Sequence, residues 1–342
     1  MARATVQDLA QAAGVSLATV DRVLNRRGGV RAGTVAKVET AMARLNYHLD
    51  AAASMLATRR EYRLAFLIPS GANTFLRNLA CETARLGQSS GGSRVEIELV
   101  DVPPFDAGAL AVALDRLDAD ALCGVAVVAT DSIAVRQAID RLVQRGVHVV
   151  TLVSDAPGSR RARFVGVDNG AAGRTAASLL GKMLRGVEGS IAVIAGSMLL
   201  RDHADRHFGF CQVLRAEYPA LAALPVVEGR DEASSCEAAL SSLLDARTGI
   251  VGLYNIGAGN RGVIAALRKR KHAARLCVVA HELTGHSREA LVDGTFDAIL
   301  NQDPGHEARS AVRLLCALSD GREIEPGQER IRIDIYLRDN LP

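Results

Sequence analysis

A chain of 342 residues has room for two or three domains, and 49% hydrophobic residues supply a buried core, which excludes an intrinsically disordered protein. No apolar run reaches the roughly 18 residues of a membrane span, and the first residues lack the apolar stretch of a signal peptide. The net charge of +3 is uneven: residues 1–60 hold nine Lys/Arg against four Asp/Glu, or +5, leaving 32 basic and 34 acidic side chains, or −2, on the rest.

A basic segment beside a near-neutral body suggests that the first segment meets a polyanion. Its pattern supports this. Thr5 and Asp8 open a helix, the hydroxyl as cap and the carboxylate near the positive helix end, and Val6, Leu9, Ala10 and Ala13 form its apolar stripe. Gly14 permits a sharp turn, Ser16 caps a second helix to about Asn25, and a third is expected from about Thr34 to Leu45. Two short helices joined by a glycine-containing turn make a helix-turn-helix.

Thr5 to Asn25, reading Thr-Val-Gln-Asp-Leu-Ala-Gln-Ala-Ala-Gly-Val-Ser-Leu-Ala-Thr-Val-Asp-Arg-Val-Leu-Asn, resembles the head of the LacI/GalR family of bacterial repressors nearly position for position. The likeness continues from Thr34 to Tyr47 and into Ala51–Leu56. It implies that the second helix lies in the DNA major groove, with Leu17, Ala18 and Arg22 at base edges. Arg22 suits a guanine, while Leu17 and Ala18 offer apolar contact to a thymine methyl. Thr5, Ser16, Thr19, Asn25 and the Arg26-Arg27 pair would meet phosphates, which set register rather than sequence. Residues 48–57 resemble the family's hinge helix. Leu56 stands at the leucine that wedges into the minor groove, or else docks on the following domain. Asp21 replaces a usual Ser, Leu49-Asp50 a usual Pro-Asn, and Ser54 a common Arg, so the operator sequence stays open.

Beyond the linker Thr58–Glu61, short apolar runs alternate with helical stretches. Leu64–Pro69, Val95–Val100, Gly124–Val128, Val147–Val153, Ile191–Ala195, Gly249–Tyr254, Leu276–Ala280 and Ala298–Leu300 read as buried parallel strands. Ala134–Arg145, Ala171–Leu184, Arg206–Glu217 and Asn260–Arg270 have helical spacing. The alternation predicts an α/β fold, in which ligands sit beyond the carboxyl ends of the strands. Ser70, Asn73, Asp131, Ser154, Asp155, Arg206, Asn255, His281, Glu282 and Gln302 fall there, a set suited to a ligand rich in hydroxyls or simply to helix capping.

This body resembles the sensor domain of the same family, and through it the periplasmic sugar-binding proteins of the ribose-binding type. Asn73-Thr-Phe75, Asp155, Arg206-His-Phe-Gly-Phe210, Asn255, Glu282 and Gln302-Asp-Pro304 stand at that type's ligand positions. Phe75 would stack on a sugar face or pack in the core. The resemblance implies a helix-turn-helix domain over 1–47, a hinge and linker over 48–61, and a two-lobed effector domain over 62–342. Lobe one would span about 62–167 and 303–323, and lobe two about 168–302 and 324–342.

Gly257-Ala-Gly-Asn-Arg-Gly262 is a literal G-x-G-x-x-G, with Glu282 20 residues past Gly262, the pattern of an NAD(P)-binding redox sensor or oxidoreductase. It lies late in the alternation rather than after the first strand, and the sensor resemblance accounts for Glu282. Six scattered cysteines form no C-x-x-C pair and are expected to be reduced core thiols. His203 and His207, at i and i+4 without a third ligand, read as solvent-facing. The expectation is therefore a cytoplasmic, non-enzymatic regulator without metal or cofactor. It would bind operator DNA as a homodimer, the ending Leu-Arg-Asp-Asn-Leu-Pro offering no heptad tail for a tetramer, and answer to a sugar or polyol.

Overall fold

The computed structural model describes residues 6–24, 30–45, 61–88, 95–270, 276–324 and 329–342. They belong to two compact units, residues 1–61 and 62–342.

The first unit holds helices α1 (Val6–Ala13), α2 (Leu17–Leu24) and α3 (Ala32–Arg44). Gly14 supplies the turn between α1 and α2 with φ +65°, a conformation that costs glycine no Cβ clash. The Ser16 hydroxyl caps α2 by accepting from the Thr19 amide at 3.2 Å. Leu9, Ala10, Val20, Val38 and Ala41 form the shared core. Thr5, Asn25, Arg26, Arg27, Tyr47, the hinge segment 48–57 and Leu56 lie outside the described residues.

The second unit contains two sheets. The first runs in the order β2 (Val95–Val102), β1 (Tyr62–Pro69), β3 (Gly124–Val127), β4 (His148–Leu152) and β5 (Arg163–Val165), all parallel. β1 shows why its run is continuously apolar. Leu64, Phe66 and Ile68 face α4 (Thr74–Gln88) and α12 (Pro304–Ser319), while Ala65 and Leu67 face α5 (Ala107–Asp115) and α6 (Ile133–Gln144). β2 is a correction to the expected buried strands. It is an edge strand, paired only with β1, and exposes Glu96, Glu98, Leu99 and Asp101.

The second sheet runs β12 (Asp334–Tyr336), β11 (Ala298–Asn301), β10 (Cys277–His281), β9 (Ile250–Asn255), β6 (Gly189–Ala195) and β7 (Leu221–Ala223). β8 (Val227–Glu228) also pairs with β6, and only β12 is antiparallel. α7 (Asn169–Met183) and α8 (Arg201–Glu217) cover one face; α9 (Ala233–Ala246), α10 (Asn260–Arg268) and α11 (Gly285–Val292) cover the other.

The chain passes between the sheets after β5, after β11 and before β12. α12 belongs to the core of the first sheet although it follows a strand of the second. Its start at the crossing is sharply specified, with Pro304 at the first position and the Asp303 carboxylate accepting from the Gly305 and His306 amides at 2.8 and 3.0 Å.

Candidate functional site

The carboxyl ends of the two sheets meet across one cleft with a cavity of about 130 Å³, roughly ten times what a single water requires. The segments after β1, β2, β3 and β4 line one side. Residues from α8 and the segments following β8, β9, β10 and β11 line the other. Among the described residues, five non-glycine residues have positive φ: Phe105, Val153, Arg230, Asp231 and Glu282. All five line this cleft. Left-handed backbone at non-glycine residues is uncommon and clusters where surrounding structure over-determines a functional geometry.

Arg206 is the centre of the second wall. It is 2% exposed, and its guanidinium donates through Nε to Asn169 Oδ1 at 2.7 Å and through Nη1 to the Ile256 carbonyl at 2.9 Å. Nη2 has no hydrogen-bond acceptor and sits 3.8 Å from Glu282 Oε1. Gln302 Nε2 donates to that same Glu282 oxygen at 2.9 Å, leaving Glu282 Oε2 and Gln302 Oε1 unpartnered. Burial pushes the Glu282 carboxyl up to about 7 against the opposing pull of Arg206 and the Gln302 amide. Behind it, burial and the nearby Glu282 drive the Glu307 carboxyl well above its ordinary value.

Asn73 joins the two walls: its Nδ2 donates to Asp231 Oδ2 at 2.9 Å, while its Oδ1 accepts from the Leu76 amide at 3.2 Å and so caps α4. The second Asp231 oxygen accepts from the Ala258 amide at 3.0 Å. Burial raises the Asp231 carboxyl, opposed first by His203 and then by Asn73. His203 is buried in the cleft wall, contrary to the solvent-facing expectation, with Nδ1 3.0 Å from the Ser197 carbonyl and Nε2 3.7 Å from Asp202. α8 starts five residues before Arg206, and that extra turn carries Asp202 and His203 inward. His207, one turn on, instead lies 3.3 Å from Cys211 Sγ.

Of the residues singled out by sequence, Asn73, Phe75, Arg206, Glu282 and Gln302 line the cleft, as do Ser70 and Ser154. Phe75 also belongs to the core of the first sheet, the packing role expected of it. Asp131 and Asp155 do not line it. Asp131 pairs with Arg136, with Arg201 3.9 Å away, and Asp155 is gripped by Arg161, by Thr151 Oγ1 at 2.5 Å and by the Ala156 amide at 2.8 Å. Against the desolvation of burial, Arg161 holds the Asp155 carboxyl below its ordinary range. Asn255 lies beneath the cleft, bonding Asn260 Oδ1 at 2.7 Å, and His281 turns to Tyr254 Oη at 2.8 Å. Asp202, His203, Arg230, Asp231 and Phe105 were not singled out as cleft residues. Arg230 lies 5.7 Å from the Phe105 ring centroid at the rim.

The glycine loop has a packing explanation. A Cβ on Gly262 would overlap the Ala233 carbonyl where α9 and α10 touch, and one on Gly257 would crowd His203 and Asp231. The Asp231 carboxylate already takes the loop amide of Ala258, where a pyrophosphate would meet like charge. Among the described residues no group of three or more His, Cys, Asp or Glu is arranged to hold a metal ion. The cysteines are free, with Cys236, Cys277 and Cys316 buried, Cys123 and Cys211 half-buried, and Cys81 exposed, a correction to an all-core reading. In the first unit, Leu17 on α2 is 48% exposed and Arg22 is exposed on the same helix. Ser16 and Thr19 sit at its amino end, and Ala18 lies within it.

Comparison with known proteins adds two family matches. Residues 65–323 match the periplasmic binding protein domain, and residues 5–50 match the bacterial regulatory proteins of the lacI family. Over 77 residues the chain is 44% identical to the ribose operon repressor of Bacillus subtilis, covering 22% of this chain and 24% of that one. Over 76 residues it is 40% identical to catabolite control protein A of Staphylococcus aureus, covering 22% and 23%. The matches thus span about a quarter of those relatives. The fold is similar to that of an ABC transporter solute-binding protein of Burkholderia graminis in complex with D-arabinose, with TM-score 0.76, 23% identity and 83% and 97% of the two chains covered. It is also similar to GanP, a glucose-galactose binding protein of Geobacillus stearothermophilus, with TM-score 0.75, 18% identity and 83% and 100% coverage. Among the described residues no helix is long and apolar enough to cross a membrane.

Proposed function

Since this chain belongs to the periplasmic binding protein domain family and carries at residues 5–50 the helix-turn-helix head of the lacI family of bacterial regulatory proteins, we propose that it is a cytoplasmic transcriptional regulator, a repressor, whose affinity for operator DNA is set by a small polar effector. The effector, a sugar or polyol, binds in the cleft between the two sheets. The observation that carries this reading is the convergence there of buried polar atoms without protein partners: Ser154 Oγ, Asp202 Oδ1, Arg206 Nη2, Glu282 Oε2 and Gln302 Oε1. An unsatisfied buried polar atom costs about 1–3 kcal/mol, so a hydroxyl-rich ligand that pairs them gains affinity.

The head reads DNA as a homodimer on a pseudo-palindromic operator. Leu17, Ala18 and Arg22 contact base edges, Thr5, Ser16, Thr19 and Asn25 contact phosphates, and Leu56 of the hinge is the minor-groove wedge. The division into head 1–47, hinge and linker 48–61 and effector domain 62–342 assigns these tasks. Of the effector residues named from sequence, Asn73, Phe75, Arg206, Glu282 and Gln302 act directly, with Asn255 behind them, while Asp131 and Asp155 are structural in this arrangement.

The test is thermal unfolding of the full chain against pentoses, hexoses and polyols, chosen with the arabinose-bound and glucose-galactose-binding structures and the ribose repressor in view. A ligand at about 100 times its dissociation constant adds about 2.7 kcal/mol of stability. A stabilising ligand supports the reading; a folded chain that responds to none of the panel contradicts the effector class.

A further inference from the structure

Charge and hydrogen-bond chemistry in the cleft narrow the effector further, given the reading above. The lining holds five carboxyl groups, Asp106, Asp202, Asp231, Glu232 and Glu282, against two guanidiniums, Arg206 and Arg230, and the His203 imidazole. Arg230 is exposed and held over Phe105, so Arg206 is the only buried arginine among Asp202, Asp231 and Glu282, which are themselves 5–8% exposed.

The unpartnered atoms lean the same way. Asp202 Oδ1, Glu282 Oε2 and Gln302 Oε1 are acceptors; Arg206 Nη2 is a donor, and Ser154 Oγ can serve as either. Each acceptor belongs to a side chain more than nine-tenths buried that lines the cleft. A neutral hydroxyl brings one donor, whereas an ammonium brings three donors, no acceptor and the compensating charge. Asp202 lies close enough to Glu282 to disfavour the ionisation of Glu282, which a cation between them would relieve.

We propose that the effector carries a protonated amine on a hydroxylated frame, as in an amino sugar or amino polyol, and that Asp202, Glu282 and Gln302 receive the ammonium. Arg206 Nη2 and Ser154 Oγ then take hydroxyl oxygens of the same molecule. Asp231 keeps its bonds to Asn73 and Ala258 and makes no direct contact with the ligand.

Matched pairs test this on the full chain by calorimetric titration: D-glucosamine against D-glucose, D-galactosamine against D-galactose, and the N-acetylated form of each amine as a neutral control of similar shape. The expected result is that at least one amine binds about tenfold or more tighter than its hydroxyl and N-acetyl partners, the gain of a charge-assisted bond over a neutral one. Asp202→Asn, nearly the same shape, should remove that preference while circular dichroism reports an unchanged fold. Should the variant not fold, the N-acetyl comparison on the unaltered chain decides alone. Neutral sugars binding as tightly as their amines, or N-acetylation without effect, overturns the amine proposal and leaves the sugar-effector reading standing. Binding by neither series overturns both.

Discussion

Arg206 is the residue on which the cleft most depends. Its guanidinium satisfies Asn169 and the Ile256 carbonyl and faces Glu282, all in the interior. Arg206→Ala leaves those groups unpaired, and breaking a buried charged contact costs about 3–5 kcal/mol, so urea unfolding should show a loss of that order. Arg206→Lys retains the charge but not the fork, and should fold while losing ligand-induced stabilisation. Glu282 predicts a pH dependence. It faces Arg206 and Asp202 from α8, Gln302 after β11, and Glu307 from α12. Unfolded, it ionises near its ordinary 4.5; folded, it keeps its proton to about 7. Between those values the unfolded chain binds fewer protons, so stability present at low pH falls as pH rises through this window. Asp231 and Glu307, raised by burial, act in the same direction. Glu282→Gln should flatten the decline in urea midpoint across about pH 4.5–7.5, and an unchanged slope would contradict the assignment. Sequence order led to Arg206, Glu282 and Gln302 because each follows or faces a strand end. Asp131 and Asp155 follow strand ends too, but their carboxylates are taken by Arg136 and Arg161, arginines five and six residues on whose return no periodicity announces. Asp231 escaped notice because it follows a two-residue strand, β8, and holds a φ of +56° that its side chain does not advertise.

At the level of elements, long apolar runs such as Leu64–Pro69 and Ile191–Ala195 were legible as strands, since helices bury both of their faces. β5, β7, β8 and β12 were not, having two or three residues each and no run to read. α8 began early because its first turn, Arg201–Ala204, mixes buried Asp202 and His203 with exposed Arg201 and hides the apolar stripe. Helix contacts yield paired predictions. A Cβ on Gly173 would overlap the backbone carbonyl of Arg206 where α7 meets α8. Gly173→Ala should therefore cost about 1–3 kcal/mol in urea unfolding and weaken ligand binding by shifting Arg206. Gly33 in α3 and Gly285 in α11 have open space where a Cβ would go and no positive φ. Alanine at either should stabilise by about 0.4–1 kcal/mol in the same measurement, and a loss there would contradict the open geometry.

For the whole molecule, the charge split and the dense motif of the head made the helix-turn-helix, and with it the proposed DNA-binding role, legible, because a short helix-turn-helix constrains nearly every position. The ligand's identity was not legible, since it depends on which polar atoms remain unpaired after residues far apart in sequence have met. The two units perform separable tasks in this account. Arg22→Ala should abolish sequence-specific DNA binding in anisotropy titrations while leaving effector affinity within error; loss of both would refute modularity. Effector and DNA must also influence each other reciprocally, with a coupling of about 1–3 kcal/mol. The most direct measurement is anisotropy of the full chain on a duplex selected from a random-sequence pool, repeated with the stabilising ligand at saturation. The account predicts one enriched, pseudo-palindromic sequence whose dissociation constant changes about 5- to 150-fold on adding ligand. A pool that yields no preferred sequence, or a dissociation constant indifferent to bound ligand, would contradict it.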